Sequence, residues 1–179
     1  MYTTAPMTRS PANRIKKNRT DMLGWVPVVN DTVLSGYHTR LVGGYDEPFY
    51  LAFRGDAPAE IRFTRDYERS ALHELAHWCV AGQARRMQDD YGYWYAPDGR
   101  TNAQQALFFQ VEIEPQAIEK HFCAALEIPF DVSIDNLGNS ALAGIGGFTA
   151  AVDARYSRYA REGLPERAAQ LCLCLQGYL

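Results

Sequence analysis

The sequence contains no apolar run that approaches the roughly 20 residues that a membrane-spanning helix requires. No secretory pattern of charged, apolar and small segments opens it, so we expect a cytoplasmic protein without a membrane partner. Cysteine is scarce, and its four copies include no C-x-x-C pair. We therefore interpret the cysteines as reduced core residues.

An excess of positive charge is also lacking. The 18 Lys and Arg and 21 Asp and Glu give a net charge of -3, which is not the electrostatic footprint of a nucleic-acid-binding protein. Basic residues instead concentrate near the start, where we predict a disordered leader over residues 1–22 or, alternatively, a tether for an acidic partner. Residues 23–179 are of the usual size for one domain.

The pattern of apolar and turn residues predicts a small sheet followed by helices. Four segments have the alternation or composition of strands: residues 23–29, 39–44, 49–54 and 60–64. Helical spacing predicts four helices: residues 70–87, 115–126, 149–162 and 165–178. Residues 107–113 suit either structure, and residues 138–148 have the composition of a loop. We therefore predict an α+β fold, a single mixed α/β domain whose small sheet is packed by helices.

An H-E-x-x-H motif, formed by His73, Glu74 and His77, is the most informative element. It falls within the predicted helix 70–87, for which Ser70 is the expected N-cap. Because four residues make about one helical turn, both imidazoles project from the same face and can bind one metal ion. The alternative is a pair of histidines on a partly exposed helix face, but chance matches should occur only about once in a few hundred chains of this length.

A third protein ligand is needed, because two imidazoles alone rarely retain a divalent metal in an enzyme. The candidates are His121, Asp98, Glu112 and Glu114. Two histidines and one carboxylate suit Fe(II), which keeps open positions for dioxygen and substrate, and equally suit hydrolysis by Zn(II). The residues themselves leave both the third ligand and the metal open.

Several blocks in a fixed order resemble the elongation factor P hydroxylase family. The blocks are residues 46–51, 71–82, 91–95, 97–100, 111–112, 115–117, 135–137 and 164–167. They span about residues 39–175 and include the H-E-x-x-H motif. The resemblance does not extend to the basic leader.

This resemblance implies hydroxylation of a β-lysyl-modified lysine on translation elongation factor P, which would be the partner. It also implies a mixed α+β fold similar to that of a bacterial metal-dependent ribonuclease. The implied metal ligands are His73, His77 and Glu112, the implied cofactors are Fe(II) and dioxygen, and the reductant is not identified. Glu74 would then orient a ligand or shuttle a proton.

The implied substrate arm is long and carries ammonium groups, so its site should offer carboxylates and aromatic faces. We predict substrate contacts at Tyr93, Asp98, Arg100 and Asp135, with Asp46, Glu47 and Glu114 as further acidic candidates. Three rival functions use the same motif: a zinc peptidase with Glu74 as general base, a metal-dependent ribonuclease, and a binding module with a closed structural metal.

Overall fold

The computed structural model describes residues 23–92, 101–134 and 144–179. The predicted leader at residues 1–22 lies outside these ranges. Within them the α-helices and β-strands are, in chain order, α1 (Trp25–Thr32), β1 (Thr39–Tyr45), β2 (Phe49–Leu51), β3 (Ala59–Thr64), α2 (Glu68–Val80), α3 (Gln83–Arg86), α4 (Asn102–Ala125), α5 (Ile145–Glu162) and α6 (Glu166–Tyr178). A small sheet covered by helices confirms the predicted α+β class.

The three strands form one mixed sheet in the order β1-β3-β2. β1 runs parallel to β3 with Leu41 opposite Ile61, and β2 runs antiparallel to β3 with Tyr50 opposite the same residue. All three of these side chains are buried in the main core. β2 ends at Leu51, earlier than predicted. The backbone N–H of the next residue, Ala52, donates to a carboxylate oxygen of Asp89 at 2.9 Å and not to a neighbouring strand.

The predicted edge strand at residues 23–29 is wrong, because this segment belongs to α1. Trp25 and Val29 are one helical turn apart and both fully buried, so the helix buries one apolar face. Pro27 falls in the first turn, where its missing N–H has no helical partner to lose. Proline was therefore compatible with a helix start as well as with an edge strand.

The helix that carries the motif begins and ends earlier than predicted. Ser70 is not its N-cap, since the Ser70 hydroxyl accepts the backbone N–H of Thr64 at 3.1 Å while α2 begins at Glu68. Glu68 is buried and accepts the indole N–H of Trp25 at 2.9 Å, which holds the first turn against α1. The helix ends at Val80, and the predicted continuation to residue 87 is the separate short helix α3.

Pro115 lies inside α4 and not in the first turn of a helix, so this prediction is also wrong. The ambiguous residues 107–113 belong to the same helix, which begins with a capping box between Thr101 and Gln104. Pro115 cannot donate to the carbonyl of Val111 four residues earlier. Val111 is 51% exposed, on the side of the helix where water can compensate.

The two predicted C-terminal helices are confirmed as α5 and α6. α5 begins at Ile145, so residues 145–148, which were predicted to belong to a loop, form its first turn. Phe148 and Val152 are buried against Phe109 of α4, which forms a second, smaller apolar cluster. No described helix is long and apolar enough to cross a membrane.

Helix α2 lies between the sheet and α4, and this arrangement positions the motif. Leu72, Leu75 and Ala76 are fully buried in the main core. His73 and His77 lie on the side that faces α4, where they contact its residues. The sheet side of α2 thus supplies packing, while the α4 side presents the polar groups of the motif.

Arg167 of α6 closes the C-terminal end of α2. One guanidinium nitrogen donates to the carbonyls of Trp78, Cys79 and Ala81 at 3.1, 2.8 and 2.6 Å. Such side-chain donors satisfy carbonyls that the last helical turn leaves unpaired.

We expect Arg167→Ala to lower the free energy of unfolding by about 1–3 kcal/mol, since hydrogen bonds from a charged group to partly buried carbonyls are lost. Chemical denaturation of wild type and variant measures this difference. Arg158→Ala is the control, because Arg158 makes an exposed pair with Glu162, and little change is expected from it. Equal stability of wild type and Arg167→Ala would contradict the capping role.

Candidate metal centre

The two motif histidines direct their Nε2 atoms to one point. These atoms lie 3.0 Å apart, and the two rings meet edge to face with centroids 4.6 Å apart. Both side chains keep some exposure, 19% for His73 and 28% for His77. The helix therefore presents two nitrogen ligands side by side, with access from outside.

Glu112 of α4 completes the group. Its carboxylate oxygens lie 3.5 Å from Nε2 of His73 and 3.2 Å from Nε2 of His77. Ligand atoms that share an ion at about 2.0–2.2 Å are roughly 3.0–3.5 Å apart, so these separations suit one divalent metal. Among the described residues, this is the group of three side chains that can hold a metal ion.

The charges of the three groups are strongly coupled. Burial lowers the pKa of His73, but its hydrogen bond to Glu119 and the nearby carboxylates outweigh burial and raise the pKa to about 10. Burial raises the pKa of Glu112, yet the charge and hydrogen bond of His77 dominate and bring it to about 2. The pocket thus favours a positive charge next to Glu112, which protons supply in the metal-free protein and a cation can supply instead.

Glu119, which the sequence analysis did not single out, fixes the orientation of His73. Its carboxylate is 1% exposed and lies 3.0 Å from Nδ1 of His73. A carboxylate only accepts, so Nδ1 carries the hydrogen and the Nε2 lone pair is left for a metal. Arg69 donates to the other Glu119 oxygen at 2.7 Å and balances its charge.

Gln116 supports Glu112 in a similar way and was also not expected. Its amide is fully buried and donates to Oε2 of Glu112 at 3.2 Å. Glu112, Gln116 and Glu119 are spaced four and three residues apart, so they share the face of α4 that meets α2. This i, i+4, i+7 spacing could have indicated in the sequence that the three residues share a site. A polar stripe on a helix usually faces solvent, however, so the spacing alone did not single them out.

Two further acidic side chains, Glu74 and Asp90, lie near the centre. Glu74 lies between the two histidines in sequence, and its side chain is partly buried. This burial is the main cause that raises its pKa. Asp90 is close enough for its charge to act on His77 and Glu74, and it accepts the backbone N–H of Tyr50. Asp90 and Tyr91 both have positive φ, at 50° and 56°, in a turn that joins α3 to residue 92.

None of the other candidate ligands is observed at the centre. His121 bonds the carbonyl of Tyr156 at 3.1 Å and stacks on its ring, and Glu114 pairs with Tyr159 and Arg155, so neither belongs to the centre. Asp98 lies outside the described residues.

The predicted substrate contacts are largely beyond the described structure. Tyr93, Asp98, Arg100 and Asp135 all lie outside the described residues. Asp46 and Glu47 are exposed in the turn between β1 and β2. These roles therefore stay predictions.

The fold and the centre define an α+β protein whose two histidines and one carboxylate, on two packed helices, can hold a divalent metal ion. The chain matches the model of the elongation factor P hydroxylase family over residues 28–179. A curated relative from Haemophilus influenzae, named elongation factor P lysine hydroxylase, is 43% identical over 147 residues, which are 82% of either chain. This chain belongs to the elongation factor P hydroxylase family.

Proposed function

We propose that this chain hydroxylates the β-lysyl-modified lysine of translation elongation factor P, with Fe(II) held by His73, His77 and Glu112 and with dioxygen as oxidant. The observation that carries the proposal is the convergence of these three side chains in a member of the elongation factor P hydroxylase family. Since the substrate is a translation factor, we place the reaction in the cytoplasm.

The donor set suits iron. Two neutral imidazoles and one carboxylate are the ligands of non-haem Fe(II) oxygenases, and they leave positions for dioxygen and substrate. Bound Fe(II) supplies the redox chemistry that lets dioxygen hydroxylate a C–H bond, with one oxygen atom going to the lysine arm and the other to water. The balance requires two electrons and two protons from a reductant, whose identity the sequence does not give.

The residues of the chain have the remaining roles. Glu119 holds the ring of His73 with Nε2 turned to the metal, and Gln116 holds the carboxylate of Glu112. Glu74 has a raised pKa and lies beside the ligands, so it can retain a proton and deliver it to the site. These groups orient the ligands and move protons without being consumed.

Two acidic side chains near the centre are candidates for contact with a cationic arm. Glu74 and Asp90 interact electrostatically with the ligand group, and either one, when ionised, would attract an ammonium group of the substrate. Tyr93, Asp98, Arg100 and Asp135 remain our proposed direct contacts. Their positions follow from the sequence blocks shared with the family.

A zinc peptidase would use the same three ligands with Glu74 as general base. A ribonuclease would also require a metal, and a closed structural site would require a fourth ligand. Family membership favours the hydroxylase over each of these. Among the described residues no fourth ligand joins the group, and His121 in particular bonds elsewhere.

The test is an anaerobic Fe(II) reconstitution, followed by air, a chemical reductant and β-lysylated elongation factor P. We expect the substrate to gain the mass of one oxygen atom, and the gain to disappear after chelation and return with Fe(II) but not with Zn(II). Unmodified elongation factor P is the matched control. Absence of the gain with iron bound, together with zinc-dependent peptide cleavage, would overturn the proposal.

A further inference from the structure

Residues 129–134, which we call the strap, follow α4 and are held by side chains from both helices of the metal centre. Arg69 of α2 donates to the carbonyls of Pro129 at 3.4 Å and Asp131 at 2.8 Å. Gln116 of α4 makes a pair of bonds with Ser133: its amide nitrogen donates to the Ser133 carbonyl at 2.8 Å, and its oxygen accepts the Ser133 N–H at 3.0 Å. The strap is thus recognised through its backbone.

The same two side chains also contact the groups that build the centre. Gln116 donates to Glu112 from the nitrogen that binds the strap. Arg69 donates to Glu119, which in turn holds His73. Gln116 therefore joins the strap directly to Glu112, and Arg69 joins the strap to His73 through Glu119.

The apolar side of the strap is anchored separately. Phe130, Val132 and Ile134 pack against the small cluster around Phe109 and Phe148. These three partly buried residues alternate in sequence with Pro129, Asp131 and Ser133, whose backbone groups bond Arg69 and Gln116. The apolar contacts hold the strap against α4 and α5, and the polar contacts connect it to the centre.

We propose that Gln116 is a positioning residue that couples metal binding to docking of the strap. An amide suits this place because its two N–H groups serve Glu112 and the Ser133 carbonyl while its oxygen serves the Ser133 N–H. A metal that fixes Glu112 fixes the amide, and the fixed amide holds the strap. Coupling of this kind is reciprocal, so a docked strap also favours the metal.

The coupling changes affinities and does not fix an order of binding. A bound metal favours the docked strap, and the docked strap favours the metal by the same factor. The inference rests on the proposed metal centre, so metal binding and strap docking must be measured separately.

The experiment uses Co(II) alone as probe, because its absorption reports both affinity and ligand geometry. Hydrogen exchange at the Ser133 amide, with and without Co(II), reports strap docking. The variants are Gln116→Met, which keeps the approximate shape but lacks the amide, and Lys120→Ala as the matched control. The Lys120 ammonium lies 5.6 Å from the centroid of the Phe130 ring in the strap, and it also pairs with Asp153 on α5.

We expect Co(II) to slow Ser133 exchange in wild type and in Lys120→Ala. In Gln116→Met we expect this slowing to vanish, the absorption spectrum to change, and Co(II) affinity to fall about 10–100-fold, as for the loss of other partners of metal ligands. Wild type alone can overturn the inference, even if Gln116→Met does not fold. Co(II) binding with unchanged Ser133 exchange defeats the coupling and leaves the metal centre standing, whereas no Co(II) binding defeats both.

Discussion

Glu112→Ala is expected to abolish hydroxylation of β-lysylated elongation factor P and to weaken Fe(II) binding by more than the roughly 10–100-fold that loss of an outer partner causes. The reason is that Glu112 supplies the carboxylate beside both imidazole nitrogens, at 3.5 and 3.2 Å. Without it, only the two histidines of the group remain, and two imidazoles alone rarely retain a divalent metal. The variant also removes the negative charge that makes the pocket favour a cation.

The measurements are metal content after gel filtration and the mass of the product. Glu114→Ala is the matched control, because Glu114 is on the same helix but pairs with Tyr159 and Arg155 on α5. We expect this control to retain its metal. Normal hydroxylation by Glu112→Ala would exclude Glu112 as the third ligand and make Asp98 the next candidate.

The sequence predicts best where local pattern and final contacts agree. β3 alternates apolar and polar residues in sequence, and its apolar Ile61 and Phe63 are buried while Arg62 is only partly buried. The motif helix has buried residues at helical spacing. The H-E-x-x-H spacing places both ligand nitrogens together because it depends only on the pitch of one helix. These features need no knowledge of the remaining chain.

The errors arise where distant contacts decide. Residues 25–32 form a helix because Trp25 and Val29 enter the core together and Trp25 bonds Glu68, 43 positions away. Pro115 was expected to start a helix, since proline usually does so, but the capping box at Thr101 starts it earlier. Tertiary context overrides local propensity in the first case, whereas the second error comes from a local signal, the capping box, that the sequence analysis did not use.

The supporting groups of the centre were missed for a related reason. Gln116 and Glu119 have the spacing of an ordinary polar helix stripe, and only the packing of α4 on α2 shows that both are buried. The residues alone left four candidates for the third ligand, and the family resemblance selected Glu112. Its proximity to the histidines depends on residues more than 30 positions apart in sequence.

Glu119→Gln is the second substitution with a large expected effect. Glutamine keeps the shape and an acceptor for Nδ1 of His73, but it removes the negative charge that makes this imidazole a stronger ligand. We expect Fe(II) affinity to fall about 10–100-fold with retention of the fold. Hydroxylation should recover when Fe(II) is raised by the same factor, which separates weakened metal binding from a lost catalytic group.

The pH dependence of the metal-free protein provides an independent reading of the same contact. The folded pKa of His73 is raised from 6.5 to about 10, so its stabilising contribution is complete below pH 6.5 and is lost as the pH rises towards 10. Glu119→Gln removes the leading cause of this rise, and the loss should then be complete at a lower pH. Thermal unfolding with chelator present, from pH 6 to 10, measures the difference between the two proteins. Superimposable profiles would mean that Glu119 does not control the protonation of His73.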